Sequence, residues 1–88
     1  MLTGVTPSGF KFSIEEEARD DMEMLENLVA MTQGDMAAMP KILESLLGED
    51  QKKKLYEHCR SKKGRVSAKK VAKELQDIFA EAKSDIKN

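Results

Sequence analysis

Tryptophan is missing from this 88-residue chain, and cysteine, tyrosine and histidine occur once each. Phe10, Phe12, Tyr56 and Phe79 are the only large rings, so the core is expected to be mainly aliphatic. The lone Cys59 has no partner for an intramolecular disulfide, and no secretory leader is expected. A reducing cytosol is the expected compartment. Uninterrupted apolar runs are short, well under the about 20 residues that cross a bilayer, and no membrane association is expected. Also absent are a Gly-rich phosphate loop, zinc-ligand spacing, a calcium loop, a Glu-x-x-His pair and a Gly-x-Ser-x-Gly elbow.

Catalysis has little to work with. His58 adjoins Cys59, but neighbours on a helix point about 100° apart. A nucleophile and its base must instead meet within hydrogen-bonding reach. The run Glu15, Glu16, Glu17, Asp20, Asp21, Glu23 and Glu26 offers carboxylate pairs, and reads as a solvated acidic face rather than a cation site. The expectation is a protein without enzymatic activity, cofactor or metal.

What the chain does have is charge sorted by position. Residues 1–50 carry 3 basic and 11 acidic side chains, net −8, whereas residues 51–88 carry 12 basic and 5 acidic, net +7. The near-neutral total of −1 thus joins an acidic half to a basic half. Opposite charges on one chain suggest head-to-tail self-association, with a basic face of Lys52, Lys53, Lys54, Arg60, Lys62, Lys63 and Arg65 docking a neighbouring copy. At this length a domain buries only about 60–65% of its unfolded surface, so a partner or a second copy would add needed stability.

Periodicity predicts an all-α fold: a compact bundle of about four short helices (residues 14–88) behind an extended N-terminal arm (residues 1–13). Thr3-Gly4, Thr6-Pro7 and Ser8-Gly9 read as breakers in the arm, and Phe10-Lys11-Phe12 as a short extended piece. A first helix, opened by a Ser13/Glu16 capping box, is expected to run to about Thr32 and stop at Gly34. Its buried stripe is expected to be Ile14, Ala18, Met22, Leu25 and Val29, with Met24, Leu28 and Met31 as a second, spare stripe. A turn at Asp35–Ala38 leads to a helix from Pro40 that buries Ile42, Leu43, Leu46 and Leu47 and ends at Gly48. A third helix spans about Glu49 to Lys62. The fourth, capped by Ser67, buries Val71, Leu75, Ile78, Phe79 and Ala82, places Lys70 beside Glu74 on its wet face, and frays over residues 84–88.

Five of the six methionines fall between positions 22 and 39. Methionine suits surfaces that accept varied apolar partners. Core filling is expected for Met22 and for one of Met36 and Met39. The candidate partner-binding residues are Met24, Leu28, Met31, Met36 and Met39. Nucleic acid is the competing reading, through the basic 51–73 segment, where Val66–Leu75 resembles the first helix of a helix-turn-helix. Gln76–Ala82 continues the same helical period with no turn before a recognition helix, and the pI of 5.8 is low for such a domain. Nucleic-acid binding is therefore the secondary expectation.

Several segments, in order, resemble a known family. They are Thr6-Pro-Ser-Gly-Phe-Lys-Phe12, Glu15-Glu-Glu-Ala-Arg-Asp-Asp-Met22, Leu46-Leu-Gly-Glu-Asp-Gln-Lys-Lys-Lys-Leu-Tyr-Glu-His58, and Gly64-Arg-Val-Ser67 leading to Ile78-Phe79. Together they resemble the small tail assembly chaperones of siphophages and prophages of Gram-positive bacteria. The resemblance implies a non-catalytic, largely helical protein that binds the tape measure protein and keeps it soluble during tail tube assembly. It further implies a homo-oligomer in the host cytoplasm that is absent from the mature virion. A longer, frameshifted form would reach the tail tube protein.

Overall fold

Leu2, Gly4 and Thr6 alternate with outward residues, as do Phe10, Phe12 and Ile14, and the two sets meet as a hairpin. A computed structural model describes the backbone of residues 1–86 and the side chains of residues 1–82. Strands β1 (Leu2–Val5) and β2 (Lys11–Ile14) pair antiparallel, with Leu2 opposite Ile14 and Gly4 opposite Phe12. Between them, Thr6 N–H donates to Phe10 C=O at 2.9 Å and Gly9 N–H to Thr6 C=O at 2.8 Å. Pro7, Ser8 and Gly9 thus make a three-residue loop, and Gly9 supplies its positive φ of 95°. The same bonding closes Ser61–Arg65, where Ser61 N–H donates to Arg65 C=O at 2.7 Å and Gly64 N–H to Ser61 C=O at 2.9 Å.

The hairpin corrects the expected all-α class: the described residues are mixed, with four helices and a two-stranded sheet. Residues 1–13, expected as an extended arm, bring Leu2, Phe10 and Phe12 into the core. A hairpin alone is marginal in water, and here its apolar face is covered by helices. Of the residues that read as breakers, Thr6-Pro7 and Ser8-Gly9 are the turn itself, whereas Thr3-Gly4 lies within β1.

Beyond β2 the expected continuous helix is broken. α1 (Glu16–Arg19) is one turn, and α2 (Met22–Thr32) starts afresh. Asp21 makes the restart, its Oδ1 accepting from Glu23 N–H at 2.9 Å and Met24 N–H at 3.2 Å. Aspartate favours this role over a helix interior because its short carboxylate competes for backbone N–H groups. Ser13 lies in β2 rather than at a helix cap.

α3 (Ala38–His58) holds Pro40 in its first turn and buries Ile42, Leu43, Leu46, Leu47 and Leu55. At Gly48 the backbone leaves the helix (φ 82°, ψ 166°), a region essentially reserved for glycine. The break separates the two helices expected on either side of it, although the second ends at His58 rather than near Lys62. Gln51 repairs the disturbance. Its Nε2 donates to Leu47 C=O at 2.7 Å and to Ser13 C=O at 2.8 Å, while its Oε1 accepts from Ser13 N–H at 2.7 Å. One side-chain amide therefore fastens β2 to α3 as a neighbouring strand would.

α4 (Ala68–Ile86) starts at Ser67, whose Oγ accepts from Lys70 N–H at 3.2 Å. Val71, Leu75, Ile78 and Ala82 are buried and Phe79 packs partly against the core. Of the fraying expected over residues 84–88, the helix runs on through Ile86 and the remainder lies outside the described residues.

Candidate partner-binding surface

The break at Asp20–Asp21 resets the helical phase and decides which residues reach solvent. In α2, Met24 is buried and Leu28 and Met31 are half-buried against the core. Met22, Leu25 and Val29 are exposed, at 68%, 51% and 49%. The two stripes are therefore exchanged relative to expectation. Ile14 is fully buried, but from a strand, so its register does not carry into α2. Of the methionines weighed for the core, Met22 and Met36 lie outside and Met39 lies inside.

α2 packs chiefly on α3 and stands off from α4, leaving a groove of about 490 Å³. Met24, Leu28, Phe79 and Ala82 line its apolar depth, Met22 and Leu25 its lip, and Arg19, Asp20 and Asp21 its mouth. Among the five expected partner-binding residues, Met24 and Leu28 line this groove. Met31 is half-buried and outside it, Met36 is exposed in the turn before α3, and Met39 is core. Met24 is thus a buried residue that also lines the groove, and Met39 is the one of Met36 and Met39 that fills the core.

The basic residues separate into two groups. Lys52, Lys53 and Lys54 sit on α3, whereas Arg60, Lys62, Lys63 and Arg65 sit in or beside the Ser61–Arg65 loop. Several are already neutralised. Lys52 pairs with Glu44 at 3.3 Å and lies 5.8 Å from the Tyr56 ring centre; Lys53 pairs with Glu49 at 3.9 Å. Arg60 reaches Glu57 at 2.7 Å and donates to Gly64 C=O at 2.7 Å. The guanidinium holds the Glu57 carboxyl below its usual range by hydrogen bonding. Among the described residues, Lys54, Lys62, Lys63 and Arg65 form no ion pair. The 51–73 segment as a whole spans the end of α3, the loop and the start of α4, so its cations do not lie along one helix.

Sequence reasoning missed one polar cluster. Glu74, expected beside Lys70 on the wet face, is only 5% exposed. Its Oε1 accepts from Thr6 Oγ at 2.7 Å and its Oε2 from Ser8 Oγ at 2.7 Å. Phe10 N–H donates to Thr6 Oγ at 3.1 Å. Both hydroxyl protons are committed to the carboxylate, so the 2.9 Å contact between Ser8 Oγ and His58 requires Nε2 to carry hydrogen. A serine that already gives its proton to a carboxylate is held as a structural pin. The signal was available: Glu74 shares the helical phase of Val71, Leu75 and Ile78. His58 turns towards this hairpin cluster, its ring centre 5.5 Å from that of Phe10. Cys59 is buried, and burial pushes its thiol pKa up.

No family model, curated protein or solved structure matches the chain. Among the described residues no group of three His, Cys, Asp or Glu side chains is placed to hold a metal ion, and no helix is long and apolar enough to cross a membrane. The most distinctive surface is the apolar one on α2 and its groove. Scattered apolar residues are ordinary on any protein, whereas Met22, Leu25 and Val29 share one face of a single helix.

Proposed function

We propose that this chain is a non-catalytic tail assembly chaperone that holds an apolar helical segment of a tape measure protein against α2 and the end of α4. The observation that carries the reading is the exposed stripe of Met22, Leu25 and Val29, of which Met22 and Leu25 line the groove between α2 and α4. An apolar segment shielded there is removed from water, which is what keeping it soluble requires. The same reading implies work in the host cytoplasm before the virion is complete, with the longer frameshifted form as the link to the tail tube protein.

Co-expression of a tape measure fragment with this chain is expected to move the fragment from the pellet into the soluble fraction. The variant Leu25→Gln with Val29→Gln removes apolar surface while keeping helix propensity. It is expected to lose that effect while its helical circular dichroism stays unchanged. A folded double variant that solubilises the fragment as well as the parent refutes the surface assignment. Met24→Glu does not serve this purpose, because Met24 is in the core.

Head-to-tail self-association is the companion proposal, favoured by the unpaired Lys54, Lys62, Lys63 and Arg65 and the acidic α1–α2 segment. Sedimentation at tens of micromolar is expected to give oligomers at low salt that weaken as salt rises. A monomer at both salts rules it out.

A further inference from the structure

We infer that the segment docking in the α2–α4 groove is an amphipathic helix whose apolar stripe is flanked by lysine or arginine. This rests on the docking reading above and adds the chemistry of the occupant. A groove between two helices presents side-chain ridges into which a third helix can fit. An extended peptide laid there would face apolar side chains with its own N–H and C=O groups unpaired. At about 1.5 Å per residue the part of α2 that lines the groove, Met22 to Leu28, extends for about 10 Å, matching about two turns of a partner helix.

Charge selects the flanks. Arg19, Asp20 and Asp21 line the groove, two carboxylates against one guanidinium. On the helical wheel Glu26 lies about 40° beyond Met22 and Glu23 about 60° further, so carboxylates bound the apolar stripe on its outer side. Residues 15–33 hold seven carboxylates and a single basic side chain, Arg19. None of the seven is in an ion pair among the described residues. An acidic-flanked helix would bring like charges together along this border, whereas a basic-flanked one meets complementary charge.

The test uses the full chain and two synthetic peptides with the same leucine stripe, one flanked by lysine and one by glutamate, read by fluorescence anisotropy. The lysine peptide is expected to bind at least about tenfold more tightly at low salt, the gap narrowing as ionic strength rises. Glu23→Gln with Glu26→Gln is expected to shrink the preference, and Leu25→Gln with Val29→Gln to abolish binding of both peptides. Equal binding of both peptides, lost in the Leu25/Val29 variant, overturns the charge inference and leaves the docking surface standing. Binding of neither peptide overturns the docking reading itself. Lysine-peptide binding that survives the Leu25/Val29 variant places the contact elsewhere on the acidic surface and overturns the inference.

Discussion

Replacing Glu74 by alanine would remove the acceptor that ties the hairpin to α4 across 68 residues of sequence. Thr6 is 3% exposed, so its hydroxyl is left with only the longer 3.2 Å contact to Ser8 Oγ, while exposed Ser8 recovers most of its bond from solvent. Hydrogen bonds to charged groups contribute about 1.5–3 kcal/mol each, and an unsatisfied buried group costs about 1–3 kcal/mol. Relief of the buried carboxylate's desolvation offsets part of this loss. A net destabilisation of about 2–4 kcal/mol follows for Glu74→Ala. Glu74→Gln keeps the shape and one carbonyl acceptor, so its loss should be about 1–2 kcal/mol. In a domain of this size each kcal/mol shifts Tm by about 4–8 °C. Urea unfolding monitored by circular dichroism, with Thr6→Val closing a double-mutant cycle, measures both the loss and the coupling. A coupling of about 1 kcal/mol or more is expected between positions 6 and 74. Glu74→Ala within 0.5 kcal/mol of the parent, on the order of a neutral surface change, would refute the reasoning.

Gly48→Ala should cost about 1–3 kcal/mol by urea unfolding, because φ 82° and ψ 166° exclude a β-carbon while no neighbouring atom lies within 4 Å to complicate the result. A change near zero would mean that the two halves of α3 join as one helix. Gln51→Ala should destabilise by about 1–3 kcal/mol and raise amide exchange at Ser13, since one side chain meets three backbone groups. Unchanged exchange at Ser13 would contradict the fastening of β2 to α3. Cys59, buried and with its thiol pKa raised, should alkylate far more slowly in the native protein than in denaturant at pH 8; equal rates would contradict its burial. The linkage runs in one direction: folding disfavours the thiolate, so stability should fall as pH rises through the ordinary thiol range.

The later helices were readable because each has a strong local marker. Gly48 breaks α3, Pro40 fits only its first turn, Ser67 caps α4, and the apolar spacing from Val71 to Ala82 has no competitor. The N-terminal third was harder, since its structure is set by pairing between short segments. β1 has four residues, too few for its alternation to stand out, and its meaning depends on β2 across the turn. At Asp20–Asp21 a run of helix-compatible residues hid a cap, and a continuous wheel then assigned Met22, Leu25 and Val29 to the wrong side. Two adjacent aspartates inside a helical pattern were the warning. Glu74 was misplaced by its charge, although its phase pointed inward; the hydroxyls that satisfy it come from a hairpin that the helical pattern did not reveal.

Docking of a partner on the exposed apolar face of α2 is the proposal on which the functional reading stands. Titrating ¹⁵N-labelled protein with a soluble tape measure fragment and following amide shifts tests it most directly. Shifts are expected from Met22 through Thr32 and around Phe79 and Ala82, with the amides of residues 52–65 unmoved. Shifts confined to residues 52–65, with α2 unperturbed, would contradict it.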